Sequence, residues 1–489
     1  MKMDTKAIIE RSIEAQRASI KRINDGIWNN PEPAWKEKTA HDLVCDYFEA
    51  LGSDYKVTRH AYKIETSFLV QATHTPPIAS SVEASFLNPP TIAFNAEYDA
   101  LAKILVEGSN PPEYKPAHAC GHNLICSASV AAFIATWEAL KAWNIPGTVK
   151  LIGTPAEEGG GGKIRLLRAG AYQGVDACLM AHPGPPFSDS NIFSVAFTRS
   201  TASQKVIAEF GGVSAHAGMA PWLGRNALDA CITSYMSIAA LRQQLHPSIR
   251  VAGIVTHGGT AANVIPDYSR AEYTIRATKK KDLEDLVQKI VKCFQGGADA
   301  IGCTVKADDK RLAYWDIVSN EVLCRQFTDW MNDFSIKTVY YLPEISDEPG
   351  AASDQGNVSY SVPAMQAAFQ INTESVNHTP GFAKAAGTED AFNRALEVAK
   401  GLAGAGFDVL SNAEIRQKVK DAYDHDIAQK IEEHLQDYDA ELPGRDKIAE
   451  MLELSMPHLR PRYETGAAST QEAIGALMAA DAFSLRNTA

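Results

Sequence analysis

Thiolate, imidazole and carboxylate groups recur in this sequence where short apolar runs stop. TIAFN runs into Glu97-Tyr98-Asp99, TVKLIGTPA into Glu157-Glu158, and DACLMA into His182-Pro183-Gly184. Between the first two lies His118-Ala119-Cys120-Gly121-His122-Asn123, and His378 follows far downstream in NHTPG. The apolar runs read as β-strands, and in open α/β sheets ligands gather at the carboxyl ends of strands. A crevice there would collect a Cys, several His and several acids. That mixture suits zinc or a similar borderline divalent metal. Adjacent carboxylates permit two roles, one binding metal and the other activating the metal-bound water.

Each motif alone has an ordinary structural reading. A Cys-x-His pair arises by coincidence, a Glu-Glu pair is commonly a solvated surface, and a His before Pro-Gly is commonly a turn residue. Glu157-Glu158 follows an apolar strand and precedes four glycines at 159–162, which weakens the surface reading. Those glycines lack the GxxxxGK[ST] pattern of a phosphate loop. The constellation is stronger than its members because one crevice would collect them all.

Periodicity outlines the elements that must hold these groups. Ile9, Ile13, Ile20, Ile23 and Ile27 fall on one helical stripe, which WNNPEP at 28–33 ends. A second amphipathic helix carries Leu43, Val44, Tyr47, Phe48 and Leu51. SFLVQA (67–72), TIAFNAEYD (91–99) and TVKLIGTP (148–155) are strand-like, with an Ala- and Ser-rich helix over about 123–143 between the last two. That alternation predicts a parallel α/β sheet. In the middle, strands at 205–212, 251–255 and 269–278 alternate with helices over about 226–244 and 282–295, the β-α-β-β-α-β order of a ferredoxin-like module. The expected fold class is therefore α/β. A catalytic domain with a mixed, mostly parallel sheet flanked by helices occupies 1–200 and 310–425. A smaller α+β ferredoxin-like lid, of the kind that also dimerises, interrupts it at 201–309. A polar helical extension is expected over 426–489, where STQE at 469–472 reads as a capping box.

Composition narrows the classes. The 489 residues are 45% apolar and 22% charged, which excludes fibrous and disordered proteins. A net charge of −12 argues against nucleic acid or an anionic membrane surface as partner. The eight cysteines are scattered with no CxxC pair, so neither a disulfide framework nor a zinc ribbon is indicated. The charged N-terminus has no apolar h-region and no long uninterrupted apolar run occurs, so a cytoplasmic protein is expected.

The motifs EYDAL, HACGHN, GTPAEEGGGGK, AHPGP, GVSAHAGMAPWLGRNALDA, GGTAANVIPD, SDQGNVS and NHTPGF, in this order over about residues 5–425, resemble the co-catalytic metallopeptidase family of aminoacylases, carboxypeptidases and amino-acid amidohydrolases. The branch with Cys in place of a bridging Asp fits best. It includes indole-acetyl-amino-acid and aminobenzoyl-glutamate hydrolases, and dipeptidase-like proteins acting on β-alanyl or γ-aminobutyryl dipeptides of basic amino acids. The resemblance implies a metal-dependent hydrolase of the amide bond in a small N-acyl amino acid or dipeptide. Two divalent ions are implied, zinc first, with manganese or cobalt as alternatives. Cys120 would lie between them, and His122, Glu158, His182 and His378 would complete the ligands. Glu157 would be the general base, taking a proton from the bridging water and giving it to the leaving amine. Asp99 would orient a ligand from behind. On the lid, His216 would donate to the oxyanion, while Asn263 and Arg276 would hold the substrate carboxylate. His216 could instead cap the following helix, and Arg276 could pair with a surface acid. Relatives occur as monomers and as homodimers, and in some dimers a lid histidine serves the partner's site.

One departure stands out. Relatives have a short PGIG-like link between EYDAL and HACGH, whereas AKILVEGSNPPEYKPA (102–117) is long and rich in Pro and charge. Two rival functions follow: formation or rearrangement of an amide bond in a specialised metabolite, and a non-catalytic binding protein on the same fold.

Overall fold

The computed structural model describes residues 2–76, 89–347 and 350–435. The isoleucine stripe forms α1 (Lys2–Asn29), which buries Ile9, Ile13, Ile20, Ile23 and Ile27. There follow α2 (Lys38–Leu51), β1 (Lys56–Arg59), β2 (Phe68–His74), β3 (Thr91–Ala96), β4 (Leu101–Leu105), β5 (Tyr114–Ala117), α3 (His122–Trp143), β6 (Gly147–Gly153), α4 (Gly162–Arg168), β7 (Ala177–Gly184) and β8 (Ser194–Val195). Then come β9 (Ala202–Gly211), α5 (Ala227–Arg242), β10 (Arg250–His257), β11 (Tyr268–Ala277), α6 (Lys280–Ile301) and β12 (Thr304–Asp308). The chain continues through α7 (Glu321–Asp333), β13 (Thr338–Val339), α8 (Pro343–Ser346), α9 (Gln355–Ser359), β14 (Ala364–Gln370), α10 (Pro380–Ala386), α11 (Glu389–Ser411) and α12 (Ala413–Leu435). Contacts divide it into two units: residues 1–199, 317–348 and from 357 onward, and residues 200–316 with 349–356.

The first unit is built on a mixed sheet in the order β1-β2-β6-β3-β7-β14-β8-β13. Strands β6, β3, β7 and β14 are parallel neighbours, and antiparallel β2 and β1 finish one edge. β3 is buried throughout, so its alternate residues feed two layers. Ile92, Phe94 and Ala96 share a core with α1, α3 and α11, while Ala93 packs with Leu166, Leu167 and Tyr172 from α4 and the turn after it. α3 is apolar on every side because it is enclosed. It has the length and hydropathy of a membrane span, but 94% of that stretch is buried inside the protein. Glycine lets α11 approach α7: a Cβ at Gly404 would lie 2.3 Å from the Trp330 ring.

The second unit is an antiparallel sheet in the order β10-β11-β9-β12, with α5 and α6 packed over it. This is the strand order of a ferredoxin-like module. Along β11, Ser269, Ala271, Tyr273, Ile275 and Ala277 are buried in strict alternation. β10 forms one edge and leaves Ile254 and Val255 exposed. In the first unit, α12 passes through residues 425 and 426 without a break. STQE at 469–472 lies outside the described residues.

Candidate metal centre

Four chain segments of the first unit deliver most of the candidate groups. β3 ends just before Glu97 and Asp99, β6 just before Glu157 and Glu158, and His182 lies near the end of β7. Cys120 precedes the first turn of α3, which His122 opens. Gly121 between them has φ +80°, and a Cβ there would stand 2.6 Å from the Pro183 ring. Glycine therefore permits the approach that brings Cys120 and His122 up to His182. His378 arrives from the loop before α10, its backbone N–H donating to Ala119 O at 2.7 Å.

The ligand atoms of Cys120, His122 and His182 lie within 4.8 Å of one another, and so do those of Cys120, Glu158 and His378. Cys120 is common to both sets. Its sulfur is 3.4 Å from His182 Nε2, and His182 Nδ1–H donates to Pro183 O, leaving Nε2 with its lone pair toward the centre. Asp99 is fully enclosed and binds both sides: Oδ1 accepts from His122 Nδ1 at 3.0 Å and Oδ2 accepts from the Glu158 N–H at 2.9 Å. The backbone thus fixes Glu158 while the imidazole turns Nε2 inward. His122 Nε2 and Glu158 Oε1 have no hydrogen-bond partner although both are buried. Glu157, 3.9 Å from His122 Nε2, completes the cluster. His378 is 3.5 Å from Glu158 and about half exposed, so the centre opens on that side.

Protonation directions follow from this enclosure. Burial raises the Glu158 carboxyl to about 7 and pushes the Cys120 thiol upward. Burial lowers His182 to about 4. For His122, burial acts downward, but Asp99 and Cys120 outweigh it and its pKa is raised. Buried thiol, imidazole and carboxyl groups converging with unpartnered atoms are the donor set that a divalent cation satisfies. The residues fit such an ion.

Four further side chains surround the centre, two of which, Glu37 and Lys163, carry no sequence signal of their own. Glu37, fully buried, accepts from the Trp35 N–H at 2.9 Å and the Ala156 N–H at 2.8 Å. Ala156 has φ +59°, so Glu37 clamps the strained turn that presents Glu157 and Glu158. Glu97 and Lys163 form a fully buried pair at 2.5 Å. His118, inside the HACGHN motif, is buried, donates Nε2–H to Ile27 O at 3.0 Å and belongs to neither set of converging ligand atoms. The 102–117 link is the β4–β5 hairpin, held at its base where Ile104 packs with Ala119 and Ala383.

The remaining candidates lie on the second unit. His216 is exposed, and its Nδ1 accepts from the Gly218 and Met219 N–H groups, both at 3.1 Å. The neutral ring therefore carries its proton on Nε2. The structure brings His216 beside Asn263, since Ala217 N–H donates to Asn263 O. It does not bring Arg276 there. Arg276 pairs with Ser203, whereas Tyr268, at the other end of β11, pairs with Gly211, five residues before His216 in the sequence. Eight residues of strand separate these ends by roughly 26 Å. Arg276 donates one N–H to Gly350 O at 2.9 Å.

This chain is similar to known proteins in sequence and fold. A model of the peptidase dimerisation domain matches residues 199–300. The chain is 35% identical to the Xaa-Arg dipeptidase of Mus musculus over 402 residues, covering 81% of this chain and 87% of that one. It is 33% identical to one of the subunits of the p-aminobenzoyl-glutamate hydrolase of Escherichia coli (strain K12), over 61% of this chain and 59% of that one. In fold it is similar to a dinuclear metal binding peptidase from the M20 family of Bacillus subtilis, with a TM-score of 0.57 at 19% identity, covering 81% of this chain and 99% of that one.

Glu37 gives the centre a measurable signature. Burial first, and the charge of Asp99 second, raise its carboxyl from 4.5 to about 7. A raised folded-state pKa means the stability is fully present below about 4.5 and lost as pH climbs through 7, an effect of at most about 3 kcal/mol. Glu37→Gln keeps the accepting oxygen and has no proton to lose. Denaturant unfolding of the metal-free protein at pH 5 and pH 8 is expected to show a smaller decline for the variant than for wild type. An identical decline would contradict this role.

Proposed function

This chain belongs to the M20 metallopeptidase family, and on that premise we propose that its centre hydrolyses the amide or peptide bond of a small N-acyl amino acid or dipeptide. The observation that carries this reading is the sharing of Cys120 by two sets of converging ligand atoms. Cys120, His122 and His182 would hold one divalent ion, and Cys120, Glu158 and His378 a second. Zinc is the first assignment, with manganese or cobalt as alternatives. Bound there, the ions supply Lewis acidity to the scissile carbonyl and acidity to water.

The chain's own groups do the rest. The Glu157 carboxylate takes a proton from the attacking water and passes it to the leaving nitrogen. Asp99 keeps the His122 Nδ1 proton in place so that Nε2 stays a lone-pair donor. His216, with its proton on Nε2, is poised to donate to an oxyanion. Asn263 and Arg276 hold the substrate carboxylate, Arg276 through the guanidinium donors left free by Gly350. Dipeptides ending in arginine are the first substrates to test, given the likeness to the mouse Xaa-Arg dipeptidase. None of the eight cysteines is in a disulfide, which supports a reducing, cytoplasmic setting. No observation favours amide-bond synthesis, and hydrolase relatives together with a converging ligand set weigh against a pure binding protein.

We read the working form as a homodimer in which the second unit acts as lid and interface. The match to a dimerisation domain supports this, as do the exposed Ile254, Val255, Ile232 and Met236 on β10 and α5. The separation of Arg276 from His216 along β11 supports a finer arrangement, in which the Arg276 and His216 of one chain serve different centres of the dimer.

Two measurements follow. Glu157→Gln is expected to lower kcat by roughly 10²–10⁴-fold with metal content unchanged; retained turnover of Xaa-Arg dipeptides would remove Glu157 as the base. His216→Ala and Arg276→Ala are each expected to be nearly inactive alone. Mixing them under conditions of subunit exchange should restore activity, and a mixture as inactive as its parts would contradict the shared site.

A further inference from the structure

The centre contains one carboxylate more than the reading above employs. Glu97 sits immediately beyond β3, wholly enclosed. Its Oε1 accepts from Lys163 Nζ at 2.5 Å. Its Oε2 is buried without a hydrogen-bond partner and stands 3.4 Å from His122 Nε2, which likewise has none. Asp99 occupies Nδ1 of that ring, so once a cation displaces the proton from Nε2 the lone pair left there faces Glu97. Two electron-rich atoms facing each other in the interior are unfavourable unless a cation lies against both. Two donors each about 2.0–2.1 Å from a tetrahedral ion stand about 3.3–3.4 Å apart, the spacing observed here.

We infer that Glu97 is a further ligand, through Oε2, to the cation held by His122, and that Lys163 on the other oxygen tempers its charge. The inference rests on the metal-centre reading. Lys163 is well placed to be a fixed partner. It is the second residue of α4, and that helix start is pressed onto the strand-end turn: a Cβ at Gly162 would fall 1.7 Å from Pro155 O. Its ammonium cannot swing aside without leaving a charge buried, so it sets how strongly Glu97 can pull on the ion. A pair that merely staples α4 to β3 would have no reason to leave Oε2 unpartnered and aimed at His122.

Metal-free full-length protein titrated with zinc, and separately with cobalt followed by its visible absorption, tests this. Glu97→Gln keeps the acceptor for Lys163 and is expected to weaken one bound equivalent by roughly 10–100-fold, with an altered cobalt spectrum for that equivalent alone. Lys163→Met removes the competing cation. It is expected to bind that equivalent more tightly than wild type and to gain more melting temperature on metal addition. If Glu97→Gln fails to fold, Lys163→Met decides, because a structural staple gives lower stability with no gain in affinity. Wild-type affinities and spectra in both variants overturn the role of Glu97 while leaving the centre intact. A wild-type chain that takes up neither metal overturns the centre and this inference together.

Discussion

His122 Nε2, Glu158 Oε1 and Glu97 Oε2 are buried polar atoms with no hydrogen-bond partner, all converging on one spot. Each would cost about 1–3 kcal/mol if left so. A chain does not keep such a cluster for stability, and the surrounding structure is arranged to prevent its collapse. Asp99 holds one ligand by its ring and another by its backbone. Glu37 clamps the turn before Glu157, and Gly121 allows Cys120 and His122 to meet His182. A divalent cation removes the penalty and reverses the protonation directions that burial imposes on Cys120 and Glu158.

The sheet makes this possible because parallel strands end together. β6, β3 and β7 are neighbours in register, so the residues just beyond them form one rim. α3 begins at that rim and is buried for nearly its full length, which anchors the Cys120–His122 turn to the core. The centre is therefore enclosed by the core, except on the side of the half-exposed His378. That side, with the β4–β5 hairpin rooted beside Ala119, is where a substrate would enter.

Much of this was legible from sequence because strand ends, metal-ligand residue types and helix periodicity are local signals. The six elements of the second unit follow the expected order for the same reason, with β11 alternating cleanly between buried and partly buried residues. Glu37 and Lys163 carried no such signal. Their partners, Ala156 and Glu97, lie 119 and 66 residues away, and only the folded chain joins them. The length of the 102–117 link was evident, but not that it forms a hairpin. The distance between Arg276 and His216 emerged only from the register of β11 on β9.

The central claim is that one thiolate, Cys120, serves two cations. Anomalous diffraction from crystals of zinc-loaded protein, recorded on both sides of the zinc edge, measures this directly. The account expects two zinc peaks, each about 2.3 Å from Cys120 Sγ, one beside His122 and His182 and the other beside Glu158 and His378. A single peak, or two peaks of which either lies out of bonding range of that sulfur, would contradict it.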